Sequence, residues 1–286
     1  EENVPYLPKK FLEVNPNGVN EEDFVFILGY PGRTFKHQPS QFLMIQEKYQ
    51  LPYVQDIFSW LINLYEKRGE NDPEFALNIV SEIQGLANTE KNYRGKMQGL
   101  ERLNLIQKKQ DEEKQLQSFI DSDPKLNEQY GTVLSEIDEV YKDAFATGRR
   151  NLVLMMLSRN VDYYRLAEIF IDYKKEMLKP DAERKALYKE DKRSDFYNTI
   201  TNLYNSYMPD LDPQILNKIL TDAASFEECK DLEPFKSFSK EENKQEFIAD
   251  LYEETFINDS KEFFELLEDE DEILEDIDDP FIGFVK

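Results

Sequence analysis

From Ser40 onward, apolar residues recur at helical spacing almost without pause, whereas the first forty residues show no such period. Val54, Ile57, Phe58, Leu61, Ile62 and Tyr65 fall at i, i+3, i+4, i+7, i+8 and i+11, one amphipathic face behind Pro52 as a first helical residue. Asp72-Pro73 opens the next helix with a capping carboxylate and a proline. No further proline occurs before Pro124, so this helix is predicted to run to about Phe119, the length of a hairpin arm. Asp123-Pro124 starts another. Leu152 to Leu157 is apolar all round and predicts the most buried, central helix. Pro180, Pro213 and the capping box Ser239-Lys240-Glu241-Glu242 begin three more, bringing the expectation to eight or more helices. Glu265 to Asp279 packs ten acids into fifteen positions, yet Leu266, Leu267, Ile273, Leu274 and Ile277 keep the series, as in a solvated helix with one buried edge.

The opening segment reads differently. Pro5, Pro8, Pro16, Pro31 and Pro39 punctuate it, and Asp23 to Leu28 predicts a short strand. Phe24-Val25-Phe26-Ile27-Leu28 is apolar on both faces, the pattern of a strand inside a sheet covered on both sides, and Gly29-Tyr30-Pro31-Gly32 forces a turn after it. The next candidate strand is Phe281 to Val285, at the far end. A lone buried strand needs partners, so the rest of its sheet is expected in a larger parent. The predicted fold is mainly α, an irregular multi-helix domain over 40–279, flanked by a short β segment in 1–39 and a return to the same sheet domain in 280–286.

Charge narrows the partners. Thirty-five Lys and Arg against fifty-nine Asp and Glu give a net charge of −24, which repels nucleic-acid phosphates and anionic lipid headgroups. No apolar run approaches the roughly 20 residues that span a bilayer, and Glu1-Glu2-Asn3-Val4-Pro5 lacks the basic and apolar regions of a signal peptide. Nucleic acid and membrane are therefore not expected as partners. Cys229 is the only cysteine, which excludes an intrachain disulfide and a cysteine-based zinc site. His37 is the only histidine and leaves little room for acid–base or metal chemistry at neutral pH.

Catalytic motifs are missing in the same way. There is no Gly-x-Ser-x-Gly elbow and no Gly-Asn-Ser-Gly, so His37 reads as an exposed turn residue. Gly29-x-x-Gly32 lacks the Lys-Ser/Thr of a phosphate loop, and the acidic run lacks the alternating ligands and central glycine of a calcium loop. No metal and no cofactor are expected. One stripe departs from the bland pattern: Asn88, Lys91, Asn92, Gly95 and Gly99 share a face of the long helix. Each interior glycine costs about 1 kcal/mol relative to alanine, a loss that close approach of another backbone would explain.

Asp23-Phe24-Val25-Phe26-Ile27-Leu28-Gly29-Tyr30-Pro31-Gly32-Arg33-Thr34 resembles the segment closing the first barrel half of the S46 bacterial dipeptidyl-peptidases. Asn3-Val4-Pro5-Tyr6-x-Pro8-Lys9-Lys10-Phe11-Leu12 is similar to that family's approach to the strand, and Ser40 sits where its next serine falls. Ala87-Asn88-x-x-Lys91-Asn92 with Gly99-Leu100 resembles its helical insertion, and Asp279-Pro280-Phe281-Ile282 its re-entry into the barrel domain.

The resemblance implies a chymotrypsin-like double β-barrel serine peptidase whose cleft is capped by a helical domain, releasing dipeptides from the free N-termini of oligopeptides. It implies partners in the barrel domain of the same polypeptide and in an oligopeptide substrate, a homodimeric parent, and export to the periplasm or cell surface. The family's triad histidine and aspartate fall before residue 1 and its serine after residue 286. No catalytic residue is carried over, and the chain alone is expected to be inactive. The cap supplies an asparagine to the substrate's terminal ammonium. Asn88 is the position matching that motif and Asn92 the next candidate, while Thr89 and Glu90 stand where the family has an aromatic pair. The alternative open to the residues themselves is a free-standing acidic helical scaffold without catalysis.

Overall fold

The computed structural model describes residues 6–30, 32, 34–269 and 277–286. The chain divides into two compact units, Glu1–His37 and Gln38–Lys286. In the first, the described residues carry turns and neither helix nor strand. The strand expected at Asp23–Leu28 is not formed. Strand backbone must exchange hydrogen bonds with a neighbour, and none is offered among the described residues. Phe24 and Ile27 are 90% and 97% exposed. Of the turn expected at Gly29–Gly32, Gly29 has φ 150°, a region that glycine enters at no steric cost, and Pro31 lies outside the described residues.

The second unit is helical. Helix α1 (Ser40–Ile45) passes through a π-helical turn, Gln46–Gln50, into α2 (Leu51–Gly69). Pro52 thus lies early in α2 but does not begin the helical run. The wider turn sits just ahead of it, where the proline ring crowds the Lys48 carbonyl and offers it no donor. Val54, Ile57, Phe58, Leu61 and Tyr65 are buried, as their spacing predicts, and Ile62 is half-buried.

Asp72 caps α3 (Pro73–Asn78) by accepting the Phe75 N–H at 3.0 Å. The single arm expected from Asp72 to about Phe119 is instead α3, α4 (Val80–Leu103) and α5 (Leu105–Asp121), divided at Ile79 and at Asn104. Asn104 is left-handed, with φ 49°, a conformation that asparagine tolerates better than most side chains. The bend lets α5 pack against α1 while α4 lies along α2. Asp123 caps α6 (Pro124–Tyr130) as expected, accepting from the N–H groups of Lys125 and Leu126.

The core is built by α7 (Val133–Asn160), α8 (Asp162–Met177) and α10 (Asp212–Ala224), with α2. Val153, Met156 and Leu157 of α7 are buried, but Leu154 and Met155 are 36% and 45% exposed. The apolar run is therefore not buried all round, because α7 offers one side to α8 and α10 and a helix buries only the stripe in contact. Pro180 opens a short 3₁₀ turn, Asp181–Glu183, rather than an α-helix, and two more such turns precede α9 (Arg193–Ser206). Pro213 sits in the first turn of α10, as predicted.

Ser239 lies inside α11 (Phe235–Lys240), so the expected capping box does not start a helix there. The start comes at Asn243, which accepts the Glu246 N–H and donates to its carboxylate at 2.9 Å, opening α12 (Lys244–Glu253). Asp259 caps α13 (Ser260–Glu268), where Leu267 is buried; Ile273 and Leu274 of the acidic run lie outside the described residues. Phe281–Val285 is not a strand. Asp279 and Pro280 supply the cap and first turn of α14 (Pro280–Val285), whose Phe281, Ile282 and Phe284 are buried against the helical core. No helix among the described residues is long and apolar enough to cross a membrane.

Candidate functional site

Helix α4 has two unlike faces. Leu86, Glu90 and Leu100 are buried, with Ile83 and Tyr93 half-buried beside them, at the spacing of one stripe turned toward the core. The seam with α2 is part polar. The Gln55 amide donates to Glu90 Oε1 at 3.0 Å, Arg94 lies 3.6 Å from Glu90 Oε2, and the Gln50 amide reaches the Tyr93 hydroxyl at 3.5 Å.

The opposite face carries the residues singled out by spacing. Asn88, Lys91, Asn92 and Gly95 are exposed and Gly99 is half-buried. Neither Asn88 nor Asn92 makes a side-chain hydrogen bond to another described residue, and both are exposed to solvent. Gly85 extends the stripe by one turn and was legible as i−3 from Asn88. Beside Gly85, Gly95 and Gly99, nothing lies within 4 Å of where a Cβ would stand. The close backbone approach expected from these glycines is thus not made by any described residue of this chain.

The other candidates are placed plainly. His37 is exposed in a turn. Ser40 is buried, and both its N–H and its hydroxyl donate to the Glu113 carboxylate at 2.6 Å. It therefore closes the start of α1 onto α5. Among the described residues no three His, Cys, Asp or Glu side chains are grouped to hold a metal ion. A cleft of about 650 Å³ runs along α8, lined by Arg165, Phe170, Asp172 and Ile282 among others, and includes neither Asn88 nor Asn92.

A sequence model of the peptidase S46 family covers residues 1–286. The chain belongs to this family. Among S46 relatives, the Asp/Glu-specific dipeptidyl-peptidase of Shewanella putrefaciens is 26% identical over 294 residues, covering 99% of this chain and 38% of the relative. That of Flavobacterium psychrophilum is 31% identical over 64% of this chain and 28% of the relative. Dipeptidyl-peptidase 7 of Porphyromonas gingivalis is 25% identical over 77% of this chain and 29% of the relative. The chain thus spans well under half the length of these curated relatives.

Proposed function

We propose that this chain is the helical cap, with a preceding barrel segment at residues 1–39, of a serine-type dipeptidyl-peptidase that releases dipeptides from the free N-termini of oligopeptides. In this reading the helices cover the cleft of a double β-barrel formed by the rest of the polypeptide, and Asn88 and Asn92 hold the substrate's terminal ammonium through their amide carbonyls. The observation that carries it is the α4 face itself: two exposed asparagines one turn apart, on a stripe cleared of side-chain bulk at Gly85, Gly95 and Gly99. An ammonium donates charge-assisted hydrogen bonds, each worth about 1.5–3 kcal/mol when made to a well-placed acceptor. Lys91, exposed on the same face, repels a cationic terminus and serves instead to orient neighbouring groups.

The apolar segment Phe24–Leu28 supports the same reading, since its exposed side chains suit a sheet that the described residues do not supply. The names of the first two relatives favour an acidic residue before the cut. Export to the periplasm or cell surface and a dimeric parent belong to the same proposal. The test is kinetic: in the full-length enzyme Asn88→Ala raises KM, or lowers kcat/KM, by about ten-fold or more, with Asn92→Ala acting in the same direction. Unchanged kinetics in both variants would return the stripe to ordinary solvent-facing helix.

A further inference from the structure

Glu90 is a carboxylate held 8% exposed in a helix–helix seam, on the side of α4 away from the asparagines. Burying such a group is costly unless it is paired, and an apolar side chain of similar volume often serves stability as well or better. A retained buried carboxylate is instead suited to fixing register. Leu86, with Ile83 and Tyr93 packed against the core on either side of Glu90, resists separation of the helices but has no direction. The Gln55–Glu90 hydrogen bond at 3.0 Å does.

We infer that Glu90, through Gln55, is a positioning residue that sets the rotation of α4 about its axis and thereby aims Asn88 and Asn92. At 100° per residue both asparagines lie about 160° from Glu90, one on each side, so any rotation at the seam is carried to them undiminished. A rotation of about 20° moves a side-chain tip about 5 Å from the axis by nearly 2 Å, enough to break a hydrogen bond. Arg94, bound to the other carboxylate oxygen, closes the seam toward solvent. The inference rests on the proposed role of the two asparagines.

The experiment compares Glu90→Met, Glu90→Gln, Gln55→Leu, Asn88→Ala, Asn92→Ala and Asn88→Ala/Glu90→Met in the full-length enzyme, by Tm and by KM and kcat on a free-N-terminal oligopeptide. Positioning predicts that Glu90→Met keeps Tm within a few degrees, that Gln55→Leu, which leaves the buried carboxylate with Arg94 alone, lowers it further, that both raise KM about five-fold with little change in kcat, that Glu90→Gln stays near wild type because its amide oxygen still accepts from Gln55, and that the double variant loses less than the product of the two single effects, since only Asn92 is then left to misaim. If Asn88→Ala raises KM while Glu90→Met and Gln55→Leu leave it unchanged, the positioning role is wrong and the asparagine reading survives. A large fall in Tm in both seam variants also overturns it, making Glu90 a packing residue. Silence of Asn88→Ala and Asn92→Ala overturns both readings together.

Discussion

Asp212 and Asp162 join two helix starts: a carboxylate oxygen of Asp212, the first residue of α10, accepts the backbone N–H of Asp162, the first residue of α8, at 2.7 Å. The same carboxylate also takes a hydrogen bond from the Tyr252 hydroxyl of α12. Tyr163 stacks between Tyr207 and Tyr252, with ring centroids 4.5 Å and 4.8 Å away, and helps to seal the site. Burial, opposed by these hydrogen bonds, pushes the Asp212 carboxyl up to about 7; burial likewise pushes Asp162 up to about 6.

A raised acid makes the fold bind its proton more tightly than the unfolded chain does. The stabilisation is therefore fully present below about pH 4 and is lost as pH rises through 6 to 7, by an amount on the order of a few kcal/mol. Asn at position 212 mimics the protonated acid and carries no charge. Melting curves of wild type and Asp212→Asn between pH 5 and 8 should show the variant gaining on wild type as pH rises. A difference in Tm independent of pH would contradict this account.

Asp279 binds three donors at once: the Ile282 N–H of its own helix at 2.8 Å, the Phe256 N–H at 2.9 Å and the Thr255 hydroxyl at 3.1 Å. Asp279→Ala leaves these buried donors unmet, and each costs about 1–3 kcal/mol. Chemical denaturation should therefore show a loss of about 3 kcal/mol or more, with a smaller loss for Thr255→Ala, which removes one of the three donors to Asp279 and the acceptor of the Ile257 N–H. Equal losses would place the energy elsewhere.

Gly148 and the stripe glycines should respond oppositely to alanine. A Cβ on Gly148 would stand 3.0 Å from Tyr49, a buried ring flanked by Phe145 and Arg149 that has little room to retreat. Gly148→Ala is expected to lower Tm and Gly148→Leu to lower it further. At Gly95 and Gly99 the space is open, so alanine should raise the stability of this chain by up to about 1 kcal/mol each.

The same two alanines in the full-length enzyme are expected to lower kcat/KM, because a methyl group then stands where a peptide must come close. A gain in Tm without any loss of activity would leave these glycines without a role in substrate approach.

Four Asp-Pro pairs make plain what the sequence determined by itself and what it left to the fold. At Asp72, Asp123 and Asp279 the aspartate caps the helix that its own proline begins, a bond spanning two or three residues that local sequence is sufficient to dictate. At Asp212 the identical pair is diverted: the carboxylate lies in the first turn of α10 and turns to the start of α8, fifty residues away in the chain. The asparagine stripe was legible because helical periodicity is local, and the eight or more helices for the same reason. That Glu90 faces α2, that Asn104 bends the arm, and that Phe281–Val285 coils into a helix against the core depended on which surfaces met. Burial and the direction of a buried hydrogen bond belong to pairs of segments distant in the chain, and no single segment encodes them.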